Sequence, residues 1–216
     1  MMGTRVRINV GSGQALIKGW RNFDNSLSVL LAHIPLLPKL LYQFNLLDTS
    51  RYQFVQFAQS HQIEYGDATK TLPVSSGSVD VLYSCHMLEH LNQAEASAFL
   101  KEARRVLRSG GIIRLVVPDL RWGVQHYIQS GDADGYIGGL LESRPKSITE
   151  RLRFLLVGSR YHQWMYDGNS LCRLLLEHGF VNPTSMQPGE TRIQDPEPLN
   201  LEERSPGSVY AEAENP

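Results

Sequence analysis

Two cysteines in 216 residues, Cys85 and Cys172, are too few and too far apart to form a disulfide framework. Charge of one sign is also missing. Twenty-one basic residues stand against 22 acidic ones, and a formal net charge of -1 leaves no electrostatic footprint for nucleic acid or anionic lipid. The start, "MMGTRVRINV", lacks the charged, long apolar and small-residue sections of a secretory signal, so the expectation is a reduced, cytosolic protein. No clean membrane span is present. "SLSVLLAHIPLLPKLLYQFNLL" has the length of one, but His33, Pro35, Pro38 and Lys39 interrupt it. We read it as a buried pair of cap helices, in preference to a peripheral membrane contact.

What is there is enough apolar content for one good core. At 42% hydrophobic residues the chain is expected to form a single domain, 1–216, with an apolar insertion at 27–58 and a cap segment at 120–166. Element types alternate along it. "VRINV", "RNF", "QIEYGD", "SVDVLYSC" and "GIIRLVVPD" read as strands, the first ending at Gly11 and the second at Asp24. "NQAEASAFLKEARRVLRSGG" is the clearest helix, with Phe99, Leu100, Ala103, Val106 and Leu107 on one face. Asn92 and Glu95 form a capping-box pattern at its start, and Gly110 is its expected stop. In "HQWMYDGNSLCRLLLEHGF", Asp167 or Asn169 is placed to cap a further helix that Gly179 ends. The tail is rich in proline and charge and reads as a surface wrap, until "SVYAEA" adds a last strand at the sheet edge. The fold class is therefore α/β: a Rossmann-like, mostly parallel, doubly wound sheet with a C-terminal antiparallel edge strand and helical cap insertions.

In such a sheet the ligand lies beyond the carboxyl ends of the strands, where the first turn must let backbone approach closely. Gly11 and Gly13 occupy that turn. Asp24, ending the next strand, lies where a ribose would offer two hydroxyls, and Asp67 in "YGDATKTLP" can accept from an adenine amino group. Three groups at successive strand ends point to an adenosine-containing cofactor. A dinucleotide site wants a third glycine in the first helix, and after Gly11, Ser12 and Gly13 the chain continues Gln14, Ala15, Leu16. A nicotinamide-dependent oxidoreductase is disfavoured for that reason. No Walker lysine pattern is present either.

The order "INVGSG", "GWRNFDNS", "GDATKTLPVSSGSVDVLYSCHMLEHL" and "EARRVLRSGGIIRLVVPDL" resembles the class I S-adenosylmethionine-dependent methyltransferases, in particular the group with "LEHL" and "RVLxPGG" signatures. "GWRNFDNS", "HQWMYD" and "RSPGSVYAEA" are similar to segments of a bacterial subgroup often linked with surface-polysaccharide loci. The resemblance implies S-adenosyl-L-methionine as the cofactor. Gly11, Ser12 and Gly13 would line its methionine part, Asp24 would hold the ribose diol, and Asp67 with Ala68 would meet adenine. Ser84 to His86 would face the sulfonium and the acceptor. The chain departs from the pattern at Ser12, where the wider class often has cysteine, at Ser109, which replaces a proline, and in a first helix shortened to "QALIKG". The last departure leaves the methionine carboxylate fewer helix N–H donors.

Methyl transfer from a sulfonium is mainly alignment, with proton removal when the acceptor is a hydroxyl. His86 directly follows a strand end and is the first choice for a catalytic residue; packing at a helix start is its other reading. His162 precedes a helix on a loop with Trp164 and Tyr166, which either form the acceptor pocket with His162 as base or pack on the insertion. His90 reads as structural, and Glu89 could contact the cofactor or cap a helix start, with a structural role the preferred reading. Asp119 ends a strand on the ligand side or starts the next helix, and Arg121 beside it would suit a phosphate or carboxylate on an acceptor. Nothing resembles the "NPPY" loop used on planar amino groups. The expected activity is methyl transfer to oxygen of a small-molecule or carbohydrate-type acceptor, with polysaccharide biosynthesis as its setting. A non-catalytic partner subunit on the same fold is the alternative from another class. Metal and nucleic acid have no expected role.

Overall fold

The computed structural model describes residues 5–140 and 162–216. Seven strands form one sheet: β1 (Arg7–Val10), β2 (Arg21–Asp24), β3 (Glu64–Tyr65), β4 (Val79–Cys85), β5 (Leu107–Pro118), β6 (Val181–Met186) and β7 (Ser208–Glu214). Their order is β3-β2-β1-β4-β5-β7-β6. The pairs β1·β2, β1·β4, β2·β3 and β4·β5 are parallel, while β7 runs antiparallel to both β5 and β6. The mostly parallel α/β sheet with an antiparallel C-terminal strand is therefore as expected. The edge is not: β7 lies between β5 and β6, and β6, read from sequence as part of the tail, is the outer strand.

Period-two alternation divides the sheet into two faces. Leu82, Ile113, Leu115, Val117, Ala211 and Ala213 pack with α4 (Gln93–Val106) and α7 (Gly168–Glu177) through Phe99, Leu100, Ala103, Leu171 and Leu175. Val81, Tyr83, Val116 and Tyr210 look the other way, onto Ile17, Trp20, Ile193 and Leu199. The tail thus covers the second face over this part of the sheet. Its anchor is a cross-strand pair of buried charges, Arg114 on β5 opposite Glu212 on β7, 2.7 Å apart and neither exposed.

Helix α4 begins as its sequence pattern requires. Asn92 accepts from the Glu95 N–H at 3.0 Å, and the Glu95 carboxylate accepts from the Asn92 N–H at 2.9 Å. Asn92→Ala is expected to cost about 1 kcal/mol, measured as a shift in the urea midpoint with an unchanged slope. The far end differs from expectation. Helix α4 stops at Val106 and β5 starts at Leu107, so Gly110, at φ +71°, lies inside a strand. Asn215 explains the early stop: its side-chain amide donates to the Leu107 carbonyl at 2.8 Å, and its own carbonyl accepts from the Gly110 N–H at 2.8 Å. Asp167 caps α7 in a box with Ser170, and Gly179 follows that helix at φ +82°.

The apolar insertion forms three helices, α1 (Leu27–Ala32), α2 (Leu37–Gln43) and α3 (Thr49–His61), in place of the expected buried pair. Pro35 lies between α1 and α2, and Pro38 sits in the first turn of α2, where its missing N–H costs least. Val29 and Ala58 are buried with Ile63, but Leu27, Leu30, Ile34, Leu36, Leu40, Phe44 and Leu46 are exposed. Among the described residues no helix is long and apolar enough to cross a membrane. Of the 120–166 cap segment, α5 (Leu120–Ser130) and α6 (Ala133–Leu140) are seen, and residues 141–161 lie outside the described residues.

Candidate functional site

The candidate cofactor end is built by the turn after β1. Gly11, at φ +72°, passes so close to Met87 that an added Cβ would sit 2.5 Å from its Cγ, and only glycine fits there. The N–H groups of Gly11 and Ser12 both donate to the Phe23 carbonyl, at 2.9 and 3.0 Å, which ties this turn to the end of β2. Asp24 completes the tie. One carboxylate oxygen accepts from the Gly13 N–H at 3.1 Å and the other from the Ser26 N–H at 2.8 Å.

The expected short helix over "QALIKG" is absent. Asn9 and Asn22 compete for the backbone it would have used: Asn9 donates to the Ala15 carbonyl, while Asn22 accepts from the Ile17 N–H and donates to the carbonyls of Ile17 and Trp20. The segment is a stitched loop, and it offers no helix N-terminus beside the glycines.

Three hydroxyls in this region, those of Ser12, Ser26 and Ser84, have no hydrogen-bond partner among the described residues. Ser12 and Ser84 are each at most 5% exposed. They follow and end β1 and β4, which are neighbours in the sheet. Buried, orphaned hydroxyls beside a glycine cradle fit a polar ligand at these strand ends. Asp67 is satisfied locally: one oxygen accepts from the Thr69 N–H and hydroxyl, and Lys70 lies 3.2 Å from the other. Burial works to raise its carboxyl, but these partners outweigh it and hold it below the usual range. Ala68 is buried in the main core.

The candidate acceptor end is a cluster around Glu89. His86 takes a left-handed φ of +49° directly after β4, held by its N–H on the Val116 carbonyl at 2.8 Å. The Ser208 hydroxyl donates to the Arg204 carbonyl, so it accepts from His86 Nε2–H at 2.9 Å, and Nδ1 keeps its lone pair toward the Arg204 guanidinium at 3.4 Å. Burial, with Arg204 and the imidazoles of His162 and His90, pushes His86 down to about 3, so the ring is neutral. That bonding makes it a better positioning group than a base.

Glu89 is 1% exposed, and neither carboxylate oxygen has a hydrogen-bond partner. Burial pushes its carboxyl up to about 7, against the Arg204 charge. His86 Nδ1 and His90 Nε2 lie 3.3 and 3.8 Å from its Oε1, and the rings of His90 and His162 meet edge to face at 5.2 Å. The structure thus joins His86 to His162, both named from sequence, through two residues that sequence reasoning treated as structural. Trp164 is exposed and does not pack on the insertion as a buried side chain, whereas Tyr166 is buried. Asp119 caps α5 by accepting from the Arg121 N–H. Arg121 itself is exposed.

Comparison with known proteins agrees with this architecture. A family model described as a methyltransferase domain matches residues 32–115, from the insertion through the middle of β5, and leaves the glycine turn outside it. No curated protein matches by sequence. Among solved structures, a SAM-dependent methyltransferase from Archaeoglobus fulgidus is similar at 12% identity and a TM-score of 0.51, over 98% of this chain and 86% of that one. A SAM-dependent methyltransferase from Methanosarcina mazei is similar at 14% identity and the same TM-score, over 96% and 91%. The domain match spans residues 32–115, and at those identities the likeness to the solved structures is one of fold, the class I methyltransferase architecture.

Proposed function

We propose that the protein methylates oxygen on a small-molecule or carbohydrate-type acceptor, with the cofactor over Gly11, Ser12, Gly13 and Asp24 and the acceptor beside His86 and His162. The observation that carries the reading is the adjacency of two half-built environments. A glycine cradle with orphaned Ser12 and Ser84 hydroxyls lies at one set of strand ends, and β4 leads from it directly into the cluster of His86, Glu89, His90 and His162. Bound at the first, S-adenosylmethionine supplies an electrophilic methyl group and needs only an aligned acceptor. The residues of the second do what alignment leaves over. His86, neutral and fixed by Ser208, shapes the wall beside an acceptor hydroxyl, and the proton released there passes to solvent. Asp67 and Ala68 complete the adenine side. The near-neutral net charge favours small or glycan acceptors over nucleic acid, and the two free cysteines suit a reduced compartment. The similarity of "HQWMYD" and "RSPGSVYAEA" to polysaccharide-linked proteins supports a sugar acceptor, and the second segment supplies the Ser208 that holds His86.

Calorimetric titration with S-adenosylmethionine and S-adenosylhomocysteine tests the first half, with micromolar binding of either expected. Transfer of a labelled methyl group to nucleotide-sugars or host glycans tests the second. Binding without transfer to any of these acceptors would retire the sugar reading in favour of a partner subunit.

A further inference from the structure

We infer that Glu89, His90 and His162 form a binding site for one divalent first-row transition metal ion of the zinc type. One ligand atom from each of the three lies within 4.8 Å of the other two. A tetrahedral ion with bonds of about 2.1 Å spaces its ligands about 3.4 Å apart, so the set closes on an ion through small side-chain rotations. Glu89 Oε1 and His90 Nε2, at 3.8 Å, are already near that spacing. The donor types agree, since two imidazoles and one carboxylate form a three-ligand zinc set that leaves a position open.

Two further observations point to a ligand here. Glu89 is a carboxylate 1% exposed, with no hydrogen-bond partner for either oxygen, a state that a cation relieves directly. His86 Nδ1 lies 3.3 Å from Glu89 Oε1 and 3.4 Å from the Arg204 guanidinium, so the Glu89 carboxyl is packed among ring nitrogens. The site is also tied together across the chain. The N–H groups of Gln163 and Trp164 donate to the Glu89 carbonyl at 2.8 and 3.2 Å, and the Gln163 side chain donates to the His90 carbonyl at 2.7 Å. Those bonds hold the His162 loop against residues 89 and 90. Arg204 lies 3.4 Å from His86 Nδ1, and its charge acts on Glu89 as well. An ion there would bind an acceptor hydroxyl at its open position and make that hydroxyl more acidic, which assigns the three side chains as ligands and leaves the proton to solvent.

Cobalt(II) titrated into chelator-treated full-length protein reads the site without cofactor, acceptor or turnover, and so separately from the methyl-transfer assay. The expected result is a stoichiometric rise of visible d–d absorption that zinc displaces. Glu89→Gln and His162→Ala should each weaken cobalt binding by more than about 100-fold, because losing even an outer-shell partner costs about 10–100-fold. His126→Ala, on a ring stacked against Trp122, should leave it unchanged. His162 is only half-buried, so its truncation leaves the fold intact if the substrate-independent melting transition is retained. Absence of the bands in the parent protein, or bands that persist in both folded ligand variants, would overturn the assignment.

Discussion

Glu212→Ala should lower folding stability by about 3–5 kcal/mol, the largest loss expected from any single side chain discussed above. Its carboxylate and the Arg114 guanidinium are cross-strand partners with no exposed side-chain surface. Glu212 also accepts from the Thr191 hydroxyl at 2.6 Å and the Arg192 N–H at 2.8 Å, while Arg114 donates to the carbonyls of Glu190 at 2.8 Å and Leu201 at 3.1 Å. Removing the carboxylate therefore leaves a buried cation beside orphaned backbone groups. It also releases the tail from the face it covers, with Ile193 and Leu199. For a chain of this size the loss corresponds to about 6–20 °C in melting temperature. A double replacement, Arg114→Met with Glu212→Leu, removes both charges and should recover part of the loss. It should not recover all of it, because the backbone groups at 190, 192 and 201 stay unsatisfied. A loss under about 1 kcal/mol for Glu212→Ala would mean that solvent reaches the pair and that the tail is held by its apolar contacts alone.

That pair also marks where reading the sequence stops. Each charge sits inside an apolar strand, "GIIRLVVPD" and "SVYAEA", and a charge in such a place announces a partner; which partner, 98 residues away, depends on strand order. Local signals fared best. The capping box of α4, the glycine turn and the acid ending β2 each rest on a few adjacent residues and stand where their pattern puts them. Strand β6 escaped because "VNPTSM" is an exposed edge: with little to bury it shows no alternation, and its proline reads as loop. The missing first helix failed for a different reason. Asn9 and Asn22, on the two flanking strands, supply the loop with side-chain hydrogen bonds that a propensity argument over "QALIKG" does not contain. At the acceptor end the histidines were visible and their grouping was not. His86 meets Ser208 across 122 residues, and residues 162–164 meet 89–90 across more than seventy, so Glu89 looked like one more helix-start acid.

Asp24→Ala should weaken S-adenosylmethionine binding about tenfold to a hundredfold, equivalent to about 1.5–3 kcal/mol for hydrogen bonds to a charged group. The carboxylate is already committed on both oxygens, to the Gly13 and Ser26 N–H groups, and each oxygen keeps a further lone pair for a ribose hydroxyl. The same bonds therefore orient the carboxylate in advance and shape the glycine turn. This makes truncation a double loss, and the two parts need separating. Asp24→Asn separates them, because an amide can accept only at its oxygen and must aim its NH2 at either Gly13 or Ser26, where it meets another donor. If Asp24 works mainly through its charge-assisted bonds to a ligand, the asparagine variant should bind nearly as poorly as the alanine one, with both melting within a few degrees of the parent. If its role is the turn, both variants should lose stability first, by about 1 kcal/mol per broken bond, and lose affinity only in proportion. Calorimetric titration with S-adenosylhomocysteine alongside thermal melts distinguishes these outcomes, and an alanine variant with parental affinity would remove Asp24 from the cofactor site altogether.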